Sequence, residues 1–384
     1  MANSQRFDTR CIHAGQQPDL LSGALMTPVY FTSTYLQEGL NQHKGYEYAR
    51  TRNPTRDAVQ GNLAALENAE FGIAFASGLA ATQAILELLS SGDHLVLGHN
   101  VYGGTFRLVD KIMSRFGITY TQVDTSDIAT LRAAMCEKTK LVMLETPTNP
   151  MLGLSDITEV SSLLRQQAPQ ALLAVDNTFA TPFNQQPLEL GADLVFHSTT
   201  KYLNGHSDSI GGVVMTNDRD LSDRLCFIQN AAGAILSPME SWLILRGTKT
   251  LHLRMERHNQ SALTIARWLS ERKDLQAVYY PGLESHPQHD LAKRQMKGFS
   301  GIVSFDTGDA ERTRRMAAAF KLFALAESLG GVESLVCHPV TMTHGSVPAE
   351  DRAKLGLTDS LLRLSVGVEA VEDLIEELER VLKA

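Results

Sequence analysis

From about residue 60 to 216 the chain alternates short apolar runs with helical patterns, and this alternation restricts the possible folds more than any other feature. The apolar runs lie at 71–76, 94–98, 119–123, 140–144, 171–175, 193–197 and 211–215, and helical segments such as 79–89 and 157–167 separate most of them. Strands alternating with helices imply a mostly parallel sheet covered on both faces. The pattern changes after about 246. A helical stretch spans 237–269 with Gly247 as a possible break, strand-like runs follow at 301–305 and 361–366, and a helix over 371–382 closes the chain. This predicts a smaller α+β domain. A chain of 384 residues is too long for one ordinary core. The expected division is an arm over 1–48 that contacts a neighbouring subunit, an α/β domain over 49–248 and the α+β domain over 249–384. The arm is rich in Gly, Thr, Tyr and Gln, has no sustained periodicity, and reads as extended.

Charge and composition exclude several classes. The 35 basic and 43 acidic residues leave a net charge of −8, which gives no general attraction to nucleic acid or to an anionic membrane. No apolar run approaches the roughly 20 residues that span a bilayer. The start, Met1-Ala2-Asn3-Ser4-Gln5-Arg6, lacks the apolar stretch of a secretory leader. Cys11, Cys136, Cys226 and Cys337 lie far apart without a CxxC pair, which suggests free thiols in a reducing compartment. Cytoplasm is the expected location.

Open α/β sheets bind ligands beyond the carboxyl ends of their strands, and unusual residues collect there. Ser77-Gly78-Leu79 leads from a strand into a helix. The free N–H groups and positive dipole of such a start suit a phosphate, although a Ser N-cap with a Gly turn explains the same residues. No GxxxxGK or GxGxxG pattern supports a nucleotide cradle. Lys201 follows Ser198-Thr199-Thr200 at a strand end. A lysine there can lose its proton and act as a nucleophile, or it can simply begin a surface loop. Asp176 ends an apolar strand, where a carboxylate is costly unless it meets a cation or donors. The protonated ring nitrogen of pyridoxal 5′-phosphate (PLP) is such a cation, and capping of the turn through Asn177-Thr178 is the plainer alternative. Arg363, within 361–366, offers a planar fork for a carboxylate or for a structural ion pair. The histidines, His197 and His206 beside the lysine and His286 with His289, lack the Cys, Asp or Glu partners of a metal site, so no metal is expected.

Together these segments carry a resemblance. His197-Ser198-Thr199-Thr200-Lys201-Tyr202-Leu203-Asn204-Gly205-His206-Ser207-Asp208 closely resembles the PLP-lysine signature of the Cys/Met-metabolism enzymes. The likeness extends through Tyr46-Glu47-Tyr48-Ala49-Arg50, Asn53-Pro54-Thr55, Tyr102-Gly103-Gly104-Thr105-Phe106-Arg107, the segment 145–150, Asp176-Asn177-Thr178, Ala326-Glu327-Ser328-Leu329-Gly330-Gly331 and 362–367. It implies the aspartate-aminotransferase-like fold of type I PLP enzymes and PLP as cofactor. It also implies a homotetramer, a dimer of dimers with shared active sites, and a small sulfur amino acid as substrate.

The resemblance also assigns roles. Lys201 would hold the cofactor covalently and later shuttle protons, Asp176 would face the pyridine nitrogen, and Tyr102 would stack on the ring. Ser77, Gly78, Leu79, Ser198 and Thr200 would bind the phosphate, joined by Tyr48 and Arg50 from a neighbouring subunit. Arg363, Asn149 and Ser328 would hold the substrate α-carboxylate. Glu47, Glu327 and Arg107 resemble the charges with which cystathionine γ-enzymes meet the far end of their substrate, although Glu47 and Glu327 could equally pair with nearby arginines. Methionine γ-lyases generally place a cysteine where this chain has Gly104. The segments 75–82 and 280–289 look most like cystathionine γ-lyases. The expected reaction is therefore γ-elimination of cystathionine to cysteine, 2-oxobutanoate and ammonia, with hydrogen sulfide release from cysteine as a side activity. The alternatives are γ-replacement of an O-acylhomoserine by cysteine and a catalytically silent scaffold. Gly345, in place of the usual alanine, and Thr51-Arg52, in place of a Ser-Gly pair, depart from the family pattern near the expected substrate entrance.

Overall fold

The computed structural model describes residues 5–345 and 349–383. The first four residues, which belong to the N-terminal stretch read above, lie outside that range. Seven strands form the larger sheet: β1 (Phe71–Phe75), β2 (His94–Gly98), β3 (Thr119–Val123), β4 (Thr139–Glu145), β5 (Leu172–Asp176), β6 (Leu194–Ser198) and β7 (Gly212–Thr216). Their order is β1-β7-β6-β5-β4-β2-β3. Pairing is parallel from β6 through β5, β4 and β2 to β3, and β7 runs antiparallel to both of its neighbours. The sheet is α/β and mostly parallel, as expected.

The strands read as continuous apolar runs because both faces are covered. Leu95, Leu97, Leu141, Met143, Leu194 and Phe196 face one layer. The intervening Val96, Val142, Leu144, Leu173 and Val175 face the layer that holds the helix Ile157–Gln167. A register slip of one residue would exchange the two sets.

A second sheet contains β8 (Ala277–Tyr279), β9 (Ile302–Asp306), β10 (Ala324–Leu325), β11 (Leu335–Cys337) and β12 (Leu361–Ser365), in the order β10-β11-β12-β9-β8. Its core joins Val303, Phe305, Leu362 and Leu364 to Ile265 and Leu269 of helix Leu251–Ser270 and to Leu374 and Leu378 of helix Val371–Leu382. Leu362 and Leu364 enter this core, so Arg363 between them points to the other face.

The structure corrects several boundaries. β4, β5 and β6 each run one residue beyond the expected end, which makes Glu145, Asp176 and Ser198 strand residues held in the ladder. The helical stretch over 237–269 is two helices, Pro238–Thr248 and Leu251–Ser270, broken at Lys249-Thr250 and not at Gly247. Gly247 remains helical, and a Cβ there would come within 2.4 Å of the Asn204 carbonyl oxygen. It is a contact glycine, not a break. These two helices lie between the two sheets in sequence, and we propose the domain boundary near 248 there. The N-terminal arm is not extended throughout: Phe7–His13 is helical and seats Cys11 in the same core as Val59, Leu63 and Met255. After that helix the segment to about residue 52 has no regular element and exposes Leu20, Leu21, Leu25, Phe31, Leu36 and Leu40. Among the described residues no helix is long and apolar enough to cross a membrane.

Candidate active site

A cavity of about 340 Å³ opens at the carboxyl ends of β1, β4, β5 and β6 and is closed from the second sheet by β12 and the segment 327–329. It is lined by Ser77, Gly78, Leu79, Tyr102, Asn149, Asp176, Ser198, Thr200, Lys201, Glu327, Ser328 and Arg363. These segments are far apart in sequence and meet because parallel strands end on the same edge.

At one end of the cavity the helix Gly78–Leu86 begins. Ser77 caps it by accepting the Ala80 N–H at 3.1 Å. The N–H groups of Gly78 and Leu79 have no acceptor among the described residues. A Cβ on Gly78 would lie 2.9 Å from the Ser198 Cβ, so glycine lets the helix start reach the end of β6. Ser198 is held in place by its own N–H, which donates to Thr178 Oγ1 at 3.0 Å. Thr200 closes the turn by accepting the Gly211 N–H at 3.1 Å. Two free N–H groups at a helix start, flanked by two hydroxyls, form a pocket for an anion.

Asp176 lies across the floor. Its Oδ1 accepts from the Thr178 N–H at 3.0 Å and from the Thr178 hydroxyl at 2.5 Å. Burial pushes its carboxyl up, and the Thr178 bonds and the charge of His197 oppose that rise. Oδ2 accepts nothing from the described residues. The hydrogen bonds to Asp176 therefore all fall on Oδ1, and Oδ2 is open.

Lys201 stands between the anion end and Arg363. Its Nζ donates to Ser328 Oγ at 2.8 Å. Burial, with the Arg363 charge nearby, pulls the ammonium from its ordinary 10.5 down to about 8, against the opposing charge of Glu327. Ser328 has φ +107°, a left-handed backbone that a serine adopts only under constraint. Its carbonyl oxygen accepts from Arg363 Nη2 at 2.8 Å, and Arg363 Nη1 donates to Asn149 Oδ1 at 2.8 Å. Arg363 is only 2% exposed, has no carboxylate partner among the described residues, and leaves its buried Nε without an acceptor. A buried guanidinium paired only with neutral groups is a ready carboxylate site.

The remaining residues singled out from the sequence lie at or beyond the rim. Tyr102 lines the cavity and is 43% exposed as a residue. Glu327 lines the mouth and is exposed. Arg107 stands exposed one helical turn after Gly103, with Nη1 3.8 Å from where a Gly103 Cβ would be. Tyr48, Arg50 and Glu47 do not line this cavity. Arg50 Nη1 donates to the Asn230 carbonyl at 2.5 Å and its guanidinium lies 5.6 Å from the Tyr48 ring centroid, while Glu47 pairs with His43 at 2.7 Å. Glu47 is thus paired with a histidine and not with an arginine.

Thr178, Ile210 and Glu145 are among the cavity residues that carried no role in the sequence reading. Thr178 was visible only as part of a turn. Ile210, 61% exposed at the mouth, gives no sequence signal. Glu145 had the same signal as Asp176, an acid closing an apolar strand, and could have been found by it.

Pyridoxal phosphate requires an anion pocket for its phosphate, an amine for its aldehyde and an acid for its ring nitrogen, in one cavity. The free N–H groups at 78–79, Lys201 and Asp176 with its open Oδ2 fit those requirements. Comparison with known proteins agrees. The model of the Cys/Met metabolism PLP-dependent enzymes matches residues 8–383. The chain is 51% identical over 375 residues to a cystathionine beta-lyase of Lactococcus lactis subsp. cremoris, covering 98% of both. It is 48% identical over 377 residues to a cystathionine gamma-synthase of Mycobacterium bovis, covering 97% of this chain and 96% of that one. The crystal structure of cystathionine gamma-lyase from Lactobacillus plantarum, complexed with L-serine, superposes with a TM-score of 0.96 at 45% identity over 99% of each chain. The chain is a member of the Cys/Met metabolism PLP-dependent enzyme family, and its cofactor is pyridoxal 5′-phosphate.

Proposed function

We propose that this enzyme carries out γ-elimination of L-cystathionine, releasing cysteine, 2-oxobutanoate and ammonia. The observation that carries the reading is the double use of Ser328: its hydroxyl holds the Lys201 amine and its carbonyl holds Arg363. The base and the carboxylate anchor are thereby fixed relative to one another by one residue, which is what orienting an amino acid's α-carbon beneath a base requires.

When bound, the cofactor supplies an electron sink for negative charge at the substrate α-carbon. The protein's residues do the rest. Lys201 would hold the cofactor, with the N–H groups of Gly78 and Leu79 and the hydroxyls of Ser77, Ser198 and Thr200 on the phosphate, and Asp176 would keep the ring nitrogen protonated. Arg363, with Asn149 and Ser328 behind it, binds the α-carboxylate. Lys201 Nζ would take the α-proton of the bound substrate, and its depressed proton affinity leaves a usable fraction of neutral amine near neutral pH. Once it had given that proton up, the same side chain could take a proton from the β-carbon, the next atom along, as the bond to the γ-sulfur breaks and the sulfur leaves as a thiolate. Tyr102 would cover the ring and pass a proton to the leaving thiolate. Glu327 and Arg107, with Glu47 supplied by the arm of a neighbouring subunit, would meet the distal ammonium and carboxylate. Tyr48 and Arg50 would serve the phosphate of a neighbouring subunit in a cytoplasmic homotetramer, a reading supported by their absence from the lining of their own cavity and by the exposed apolar arm.

γ-Replacement, in which cysteine attacks an activated homoserine ester, uses the same residues and is supported by the mycobacterial relative. Products decide the matter. Purified enzyme given L-cystathionine is expected to yield 2-oxobutanoate and cysteine in equal amounts, with hydrogen sulfide from cysteine as a slower reaction. Pyruvate with homocysteine instead would assign β-elimination. Cystathionine formed from cysteine and an O-acylhomoserine, without breakdown of cystathionine, would assign the synthase reaction. Colourless protein that takes up no added cofactor would leave only the scaffold.

A further inference from the structure

Glu145 is the buried carboxylate that the chemistry above does not use. It is the last residue of β4 and stands in register with Asp176, the last residue of β5, in parallel strands about 4.8 Å apart. Both side chains line the cavity. Glu145 is only 5% exposed, and its Oε2 accepts the Tyr102 backbone N–H at 2.9 Å. Tyr102 is the N-cap of the helix Gly103–Lys111 and has no side-chain cap bond of its own. This one carboxyl therefore ties the backbone that carries the ring-covering tyrosine to the floor that carries the ring-nitrogen acid.

Two neighbouring carboxylates in a buried site cannot both ionise cheaply. Asp176 has two donors from Thr178, one of them a hydroxyl at 2.5 Å, whereas Glu145 has the Tyr102 N–H and, more weakly, the Asn149 backbone N–H. The nearest cation, Arg363, is already engaged with Asn149 and the Ser328 carbonyl. On the other side Glu145 borders a second cavity of about 260 Å³ whose titratable groups are Asp124, His99, His286 and Tyr279, none of them a lasting cation. Facing the main cavity are Asp176, Lys201, Glu327, Tyr102 and Arg363.

We propose that Glu145 is a positioning residue that keeps its proton, leaving Asp176 alone to carry the negative charge of the pair, while its Oε2 anchors the Tyr102 backbone over the cavity. The electrostatics agree in direction: burial first and the Asp176 charge second push Glu145 well above the usual carboxylate range, against the Tyr102 N–H, the Arg363 charge and the Asn149 backbone N–H. A protonated acid can still accept the Tyr102 N–H through its carbonyl oxygen. An ionised one would add a second negative charge beside the ring nitrogen and compete with Asp176 for it. The functional consequence rests on the role of Asp176 proposed above, but the protonation state itself does not.

Infrared difference spectra of the full-length holoenzyme, wild type minus Glu145→Gln, test the proposal. A protonated carboxylic acid band is expected at neutral pH, shifted by carbon-13 glutamate labelling and absent from the variant. Loss of ionised carboxylate bands instead would overturn it. Cofactor affinity gives a second measure. Glu145→Ala, which leaves the buried N–H without an acceptor, is expected to weaken cofactor binding about tenfold. Glu145→Gln is expected to restore it to within about twofold, because glutamine keeps a neutral acceptor in the same place. Equal weakening in both variants would show that the charge matters and would also overturn the proposal. None of these readings uses turnover, so a failure of the cystathionine assignment would be seen separately.

Discussion

Lys201 becomes a base through its surroundings alone. Removed from water and facing the Arg363 guanidinium, its ammonium loses its proton near pH 8, where an ordinary lysine holds one to 10.5. The sign for stability follows. Between about 8 and 10.5 the unfolded chain binds a proton that the folded chain has released, so this group's contribution to stability rises with pH across that window and is unfavourable below it. Reactivity follows the same titration. In the cofactor-free chain, acylation of Lys201 by an amine reagent, read on its peptide by mass spectrometry, is expected to rise with a midpoint near pH 8, below the 10.5 of an ordinary lysine. A midpoint for Lys201 shared with the surface lysines would show that burial does not depress it. The sequence made this lysine visible through its neighbours, Ser198-Thr199-Thr200. It could not show Ser328, 127 positions away, which holds the Nζ, or the depressed proton affinity, because both arise from tertiary approach.

At the scale of elements, the anion end of the cavity depends on how closely a helix start is pressed against a strand. Gly212 opens β7, and a Cβ there would stand 2.2 Å from the Ser77 carbonyl oxygen and 2.8 Å from the Gly78 Cα. Both are backbone atoms and cannot swing aside. Gly212→Ala is therefore expected to push the start of helix Gly78–Leu86 out of place and to cost about 1–3 kcal/mol of stability. Cofactor affinity should fall with it, while Lys201 and Asp176 remain in place. Thermal unfolding and cofactor titration check the two effects, and unchanged affinity would mean that the N–H groups of Gly78 and Leu79 do not hold the phosphate. Long periodic elements were readable in advance: the apolar runs of the larger sheet and the helices Ile157–Gln167 and Val371–Leu382 appear nearly where expected. Short ones were not. β8, β10 and β11 have three residues or fewer, too few for a period of two to show. The helix Phe7–His13 has seven residues and no side-chain cap, so it left no start signal. Strand ends were misjudged by one residue because Glu145, Asp176 and Ser198 look like loop residues by type, and ladder pairing holds them in the sheet.

At the scale of the whole molecule, the segment after Gly15 is the part that the chain alone does not explain. Leu20, Leu21 and Leu40 are at least 96% exposed, a wasteful arrangement for apolar side chains unless another surface covers them. The same segment carries Tyr48 and Arg50, which lie outside their own cavity, with Arg50 resting on Asn230. Both facts are accounted for if the arm lies on a second copy and completes that copy's phosphate pocket. Subunit mixing tests this directly. Chains carrying Lys201→Ala and chains carrying Arg50→Ala should each be poorly active alone. In a mixed pair, the Arg50→Ala chain contributes an intact Lys201 and receives an intact Arg50 from its neighbour, so one of the two sites is whole. Random pairing of equal amounts then gives about one quarter of wild-type activity. Activity no greater than the sum of the separate variants would place Arg50 in the service of its own chain, or outside the site altogether. Because the pairing is by mass action, the recovered activity should also fall on dilution, together with bound cofactor, as the whole sites come apart.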